Sequence, residues 1–362
     1  MNSESLFSTF NNNNLNLKNR IIMAPMTRCR AGNGGIPIPM NVEYYKQRAS
    51  AGLIISEATN ISPQAMGFAF TPGIYNEAQI AGWQKVTEAV HDAGGLIFCQ
   101  LWHVGRISHP SMQPGGARPV APSAVQPESQ CYTEHGFEQC LTPRALELDE
   151  IPGVVEQFRI ATHHAKQAGF DGVEILAGGG YLIDQFLRDK TNHRTDEYGG
   201  SIPNRMRFLK EVVEAVIGAW SPDRVGIKLS PICTVNDIED SNPEALFIHV
   251  VEQLNQFSVA YLHVMEDIDP NIAGEIESAF DMQKLRQLFK GPYMANSRYN
   301  LTRALKARLE DSADLIAFGR PFIANPDLVE RLKTGAPLAE PDRATFYGGR
   351  TTQGYTDYPK LY

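Results

Sequence analysis

The sequence predicts an α/β protein, a single (β/α)8 TIM barrel that occupies residues 1–362 as one domain. Three observations support this prediction. Eight short apolar runs have the length of buried strands, amphipathic helical patterns separate most of them, and no linker divides the chain. A content of 43% apolar and 20% charged residues is ordinary for a globular protein and supplies enough apolar material for a large core.

The eight apolar runs are the predicted barrel strands. Parallel strands that are buried on both faces read as continuous apolar segments, because helices cover the outside of the sheet. The runs lie at residues 20–27, 52–59, 95–103, 170–176, 224–231, 259–265, 291–296 and 313–320.

The predicted helices carry apolar residues at the spacing of one helical face. In residues 76–93 this face consists of Ile80, Trp83, Val86, Ala89 and Val90. Residues 152–168 and 203–219 show the same spacing, and each begins near a proline, as helices often do. Two more helices are expected to open at residues 242–243 and after residue 281.

About residues 108–150 depart from the alternation of strand and helix. This segment is rich in proline and glycine and has a candidate hairpin near Cys131 and Cys140. Because it follows the third predicted strand, we expect it to cover the mouth of the barrel, and we call it the capping excursion.

Charge and cysteine content exclude several classes of protein. The net charge is −8 with both signs interspersed, so no basic patch for nucleic acid is present. No apolar run is long enough to span a bilayer, and the N-terminal residues lack the features of a signal peptide. The five cysteines lack metal or disulfide spacing, so Cys131 and Cys140 are expected to be a reduced pair. We therefore expect a cytoplasmic protein with no nucleic-acid or membrane partner.

The carboxyl ends of the predicted strands carry amide, hydroxyl, aromatic and cationic side chains, without a carboxylate pair or a set of metal ligands. Such groups suit a flat, polar heterocycle with a phosphate tail. Ser297 and Arg298 follow the seventh strand, and Gly319 and Arg320 follow the eighth, where phosphate sites are common in these barrels. The alternative for Gly319 and Arg320 is an ordinary turn with a surface arginine.

Tyr181 follows the fourth strand, directly after Gly178, Gly179 and Gly180. A tyrosine at the carboxyl end of a barrel strand is well placed for chemistry. The alternative is an aromatic side chain that packs on a glycine turn.

Six motifs resemble those of the Old Yellow Enzyme family, and they occur in order from about residue 5 to the C-terminus. The sequence is similar to the bacterial branch of N-ethylmaleimide and pentaerythritol tetranitrate reductases. The motifs lie at residues 19–28, 49–59, 100–106, 192–201, 318–328 and 354–359.

The resemblance implies an ene-reductase with tightly bound, non-covalent FMN that NADPH reduces. Hydride from flavin N5 would reduce enones, maleimides or nitroalkenes, and Tyr181 would donate the proton. The flavin ring would be held by Pro25, Met26, Thr27, Ala58, Gln100 and Lys228, and the phosphate by Ser297, Arg298, Gly319 and Arg320. The substrate pocket would be lined by Thr27, Phe68, Trp102, Leu176, Gly179 and Tyr355.

The sequence departs from the family pattern at several of these positions. Leu176 and Gly179 stand where the family has a His and then a His or Asn that donate hydrogen bonds to the substrate oxygen. Loss of such a donor costs about 10²–10³ in rate. Lys228 replaces the usual Arg, which keeps the charge but loses the planar fork. Ser297 and Arg298 replace what is often Gly-Gly or Gly-Asn.

Two alternative functions stay open. The protein could be a flavoprotein NADPH:acceptor oxidoreductase that reduces oxygen, quinones or unusual substrates, with little ordinary ene-reductase activity. It could also be a cofactor-free lyase in which Lys228 forms a Schiff base. A monomer and a homodimer are both compatible with the sequence.

Overall fold

The computed structural model describes residues 4–12, 15–267, 280–349 and 351–361. Eight parallel strands form a closed barrel in which each strand pairs with the next along the chain and β8 pairs with β1. The strands are β1 Ile21–Met23, β2 Leu53–Ile55, β3 Ile97–Trp102, β4 Gly172–Ala177, β5 Val225–Leu229, β6 Tyr261–Met265, β7 Tyr293–Asn296 and β8 Leu315–Phe318. The predicted (β/α)8 barrel is confirmed.

Helices surround the barrel, and their starts follow the predicted signals. Asn76 and Asn242 accept hydrogen bonds from the backbone N–H groups of Gln79 and Ala245, at 3.0 and 3.1 Å, and so cap their helices. The helices are Glu4–Phe7, Pro39–Gln47, Glu77–Asp92, Ile151–Gln167, Leu182–Leu187, Ile202–Ala219, Pro243–Leu254, Gln283–Leu288, Leu301–Leu309, Arg320–Ala324 and Leu328–Thr334. No helix in the described ranges is long and apolar enough to cross a membrane.

The lower part of the barrel interior is an apolar core. A short hairpin, Phe10–Asn12 with Leu15–Leu17, packs its apolar side chains against this core and closes the N-terminal end of the barrel. A Cβ atom at Gly226 would lie 2.2 Å from the ring of Tyr261. Glycine at this position therefore leaves the space that the aromatic ring fills.

The capping excursion follows β3, as predicted, and contains the predicted hairpin. Its strands Gln130–Thr133 and Gly136–Gln139 are antiparallel, and Tyr132 accepts a hydrogen bond from the backbone N–H of Ala69 at 2.6 Å. This bond fixes the hairpin beside Phe68 at the mouth of the barrel. Cys131 and Cys140 are buried, free thiols, and Sγ of Cys131 donates a 3.7 Å hydrogen bond to the backbone carbonyl of Glu138.

Candidate active site

Two adjoining cavities lie at the carboxyl ends of the barrel strands. The larger has a volume of about 600 Å³ and the smaller about 160 Å³. Pro25, Thr27, Tyr181 and Met265 line both, so the two cavities form one groove. Functional sites of this barrel class gather at the same end.

One end of the groove is polar and cationic. Ser297 and Arg298 follow β7, Gly319 and Arg320 follow β8, and all four line the larger cavity. Ser297 and Arg298 have φ angles of 90° and 52°, so two successive residues take the left-handed conformation at this turn. Arg298 also lies 3.4 Å from a carboxylate oxygen of Asp267. The charges at this end suit an anionic group such as a phosphate.

The opposite end of the groove is the smaller cavity. Ala58, at the end of β2, lines it together with Gln100 of β3 and Lys228 of β5. Gln100 donates a hydrogen bond from Nε2 to Oε1 of Glu174 at 2.7 Å. This end of the groove therefore offers a fixed amide and a cation to a polar ring.

Lys228 is a half-buried cation with a buried anionic neighbour. Burial lowers the pKa of Lys228, and the charge of Glu174 opposes this effect. Burial alone would raise the pKa of Glu174, but the charges of His263 and Lys228 and the hydrogen bonds from His263 and Gln100 lower it overall. Glu174 is therefore ionised at neutral pH. Sequence reasoning missed Glu174 and His263. Each lies two residues before a residue near the end of its strand whose side chain faces the inside of the barrel.

Aromatic side chains form the wall near Tyr181. The Trp102 ring meets the edge of the Tyr181 ring with centroids 4.9 Å apart, and Phe68 lies 5.9 Å from Trp102. Trp102 is held by a 2.8 Å hydrogen bond from Nε1 to Oδ1 of Asn60. Burial raises the pKa of the Tyr181 phenol, so the hydroxyl keeps its proton at neutral pH.

Leu176 and Gly179 both line the smaller cavity, and neither side chain can donate a hydrogen bond. The backbone of Gly179 is held on both sides. Its N–H donates to Oγ of Ser230 at 2.6 Å, and its carbonyl accepts from Nδ2 of Asn236 at 2.7 Å. The Gly179 amide is therefore occupied and does not substitute for a lost side-chain donor.

The prediction that Tyr355 lines the substrate pocket is not matched by the structure. Tyr355 is completely buried, stacks on Tyr44 with ring centroids 4.0 Å apart and accepts a 3.0 Å hydrogen bond from Asn41. It lines neither cavity, because its ring fills core space against the helix Pro39–Gln47. Tyr347 of the same C-terminal segment lines the larger cavity instead.

The other predicted site residues line the groove. Those in the larger cavity are Pro25, Met26, Thr27, Phe68, Tyr181, Ser297, Arg298, Gly319 and Arg320. The smaller cavity adds Ala58, Gln100, Trp102, Leu176, Gly179 and Lys228. In the part of the chain that the structure describes, no group of three or more His, Cys, Asp or Glu side chains could hold a metal ion. The groove thus fits an elongated ligand with a polar ring and an anionic tail, as FMN is.

Comparisons with known proteins agree with this fit. Residues 5–339 match the NADH:flavin oxidoreductase / NADH oxidase family. The chain is 41% identical to 12-oxophytodienoate reductase 2 of Arabidopsis thaliana over 99% of this chain and 96% of that protein. It superimposes on morphinone reductase in complex with tetrahydroNAD with a TM-score of 0.92 at 49% identity, covering 98% of this chain and 97% of that one. For the old yellow enzyme homologue from Zymomonas mobilis the TM-score is 0.94 at 45% identity, covering 98% and 99%. The resemblance to Old Yellow Enzyme is confirmed, and the chain belongs to the NADH:flavin oxidoreductase / NADH oxidase family of FMN-dependent oxidoreductases.

Proposed function

We propose that this protein is an NAD(P)H-driven ene-reductase that reduces activated C=C bonds, with Tyr181 as the proton donor. The observation that carries this proposal is the groove, in which Tyr181 lies on the wall shared by the two cavities. The arginines lie at one end of the groove, and Gln100 and Lys228 lie at the other.

The residues of the groove divide into two parts for FMN. Ser297, Arg298, Gly319 and Arg320 would hold the phosphate, and Pro25, Met26, Thr27, Ala58, Gln100 and Lys228 would surround the ring system. When bound, FMN supplies a two-electron carrier that accepts hydride from a reduced nicotinamide and delivers it to a substrate. Lys228 lines the smaller cavity and would offer a positive charge to a ring that becomes more negative on reduction.

Tyr181 would protonate the α-carbon of the alkene. A proton donor must still carry its proton when the substrate arrives, and burial of the Tyr181 phenol ensures this. The contact with the Trp102 ring holds the phenol in one orientation. Phe68, Trp102 and Leu176 give the substrate an apolar wall.

The substrate's oxygen would receive little help from this protein. Leu176 and Gly179 provide no side-chain hydrogen-bond donor, and the backbone N–H of Gly179 already donates a hydrogen bond to Ser230. The C=C bond of a carbonyl substrate must therefore be polarised by the substrate's own substituents. We expect maleimides and nitroalkenes, whose double bonds are strongly polarised, to react faster than simple enones.

The same observation supports a second candidate. Without donors at Leu176 and Gly179, the protein would act mainly as an NAD(P)H:acceptor oxidoreductase on quinones or oxygen, which need no carbonyl polarisation at an alkene. The two candidates differ in the product that they form from an alkene.

The test is a two-step anaerobic titration of the FMN-loaded protein. NADPH and NADH are added separately to bleach the flavin absorbance, and then N-ethylmaleimide, 2-cyclohexenone or benzoquinone is added to restore it. We expect bleaching by at least one nicotinamide and the saturated succinimide as the product of N-ethylmaleimide. Restoration by benzoquinone alone would favour the second candidate, and a protein that takes up no FMN would contradict both. Borohydride trapping of a carbonyl compound on Lys228 would point to a lyase instead.

A further inference from the structure

Four polar side chains lie together inside the barrel, on the adjacent strands β3, β4, β5 and β6. They are Gln100, Glu174, Lys228 and His263, and in the strand register Glu174 pairs with Gln100 and Lys228 pairs with His263. Gln100 and Lys228 line the smaller cavity, whereas Glu174 and His263 are completely buried behind them. The cluster therefore connects the wall of the smaller cavity to two polar side chains that are buried inside the barrel.

Glu174 uses one carboxylate oxygen for each neighbour. Oε1 accepts from Nε2 of Gln100 at 2.7 Å, and Oε2 lies 2.8 Å from Nδ1 of His263. An ionised carboxylate only accepts hydrogen bonds, so the Gln100 amide must turn its nitrogen toward Glu174. The amide oxygen of Gln100 then faces away from Glu174, and this orientation decides which hydrogen-bonding groups meet a ligand.

The cluster also brings the negative charge of Glu174 near the positive charge of Lys228. Glu174 of β4 and Cys233 beyond β5 act electrostatically on Lys228, Lys228 acts on His263 of β6, and Glu174 acts on Tyr261. Burial lowers the pKa of His263, although the charge of Glu174 opposes this effect, and burial raises the pKa of the Cys233 thiol to about 11, so the thiol stays protonated. Among these described neighbours, Glu174 supplies the negative charge that offsets the half-buried Lys228 ammonium group. A buried charge whose partner is removed is strongly disfavoured.

We propose that Glu174 is a positioning residue of the cofactor site, which orients the Gln100 amide and offsets the charge of Lys228 at the cavity wall. This inference rests on the proposed function, since it assigns Gln100 and Lys228 to the ring of FMN. Glu174 itself does not line the cavity. It acts through its two neighbours, and His263 holds its second oxygen.

The decisive variant is Glu174→Gln, which keeps the size of the side chain and removes the charge. Apoprotein is titrated with FMN, and the absorbance of the bound, oxidised flavin is recorded between about pH 6 and about pH 10, where a buried lysine titrates. We expect the FMN dissociation constant to rise by about 10-fold, because a misoriented Gln100 amide weakens the site. We also expect the spectral transition that reports Lys228 to occur at lower pH than in the unchanged protein.

Two comparisons assign the transition to Lys228. In Glu174→Gln/Lys228→Arg the transition should disappear, because a guanidinium does not lose its proton in this range. Asp240→Asn removes another buried carboxylate, which pairs with Arg205 at 2.5 Å outside the groove, and should leave the transition where it was. An unchanged dissociation constant and an unchanged transition in Glu174→Gln would overturn the inference. Failure of the unchanged protein to bind FMN would instead overturn the proposed function.

If Glu174→Gln folds too poorly for FMN titration, its unfolding temperature can be compared with that of a double variant. Glu174→Gln/Lys228→Met removes both charges, so it should unfold at a higher temperature than Glu174→Gln alone. If the double variant is no more stable than the single one, Glu174 does not balance the charge of Lys228 and the inference fails.

Discussion

Trp102 meets the edge of the Tyr181 ring at a centroid distance of 4.9 Å, with the two ring planes inclined by 72°. This contact joins the end of β3 to the segment that follows β4. It places a half-buried phenol on the wall that both cavities share. The contact between these two residues supports the proposal that Tyr181 is the proton donor.

Tyr181→Phe tests this role because it keeps the ring and removes the hydroxyl. We expect reduction of the bound flavin by the nicotinamide to keep its rate, and alkene reduction to slow by about 10²-fold or more, as is usual when a general acid is lost. Single-turnover kinetics with N-ethylmaleimide separate the two steps. Equal loss in both steps would indicate a damaged site, and no loss in either would show that another group supplies the proton.

Arg320→Ala tests the phosphate end of the groove. A hydrogen bond to a charged group contributes about 1.5–3 kcal/mol, so FMN should bind about 10- to 100-fold more weakly. Riboflavin lacks the phosphate, and its affinity should not change. Fluorescence titrations of both ligands make the comparison. Arg298→Ala is the matched variant, and its effect should be smaller because the Arg298 side chain is 53% exposed.

The pH dependence of stability should reveal Glu57. This carboxylate is completely buried at the end of β2 and accepts a 3.2 Å hydrogen bond from the backbone N–H of Arg28. Burial raises its pKa from 4.5 to about 7. The folded protein therefore holds this proton more tightly than the unfolded chain, and the free energy of unfolding contributed by Glu57 falls as the pH rises from about 4.5 through about 7.

Glu57→Gln removes this titration. Urea unfolding of the two proteins at about pH 5 and about pH 8 should show a smaller loss of stability with rising pH in the variant. The same loss in both proteins would mean that Glu57 titrates normally.

Much of the fold could be predicted from the sequence, because apolar runs and helical periodicity directly reflect burial. The helix predicted at residues 76–93 is Glu77–Asp92, and the one predicted at residues 152–168 is Ile151–Gln167. The N-terminal hairpin and the helix Pro39–Gln47 were not predicted. The hairpin strands have three residues each, and the helix is short and only weakly amphipathic.

The candidate site could be predicted only where it depends on strand ends. Gln100 and Lys228 follow from the position of their strands in the barrel. Tyr355 lies in a segment whose course depends on packing against Tyr44, and no local pattern encodes that contact. In the sequence, Glu174 looks like an ordinary member of a buried strand, although its alternation with Leu176 places both on the inner face.

The central claim is that the side chains at positions 176 and 179 donate no hydrogen bond to the substrate, and Leu176→His/Gly179→Asn tests it most directly. Asn tolerates the left-handed backbone at position 179, where φ is 69°. The control Gly179→Ala adds a Cβ atom, which would lie 3.3 Å from the Tyr181 ring, but no donor. The measurement is the rate at which 2-cyclohexenone reoxidises the reduced flavin under anaerobic conditions. We predict slow reoxidation in the unchanged protein and in the control, and a rate about 10²-fold or more higher in the double variant. If the unchanged protein already reoxidises as fast as the double variant, another group polarises the carbonyl and this account of the pocket is wrong.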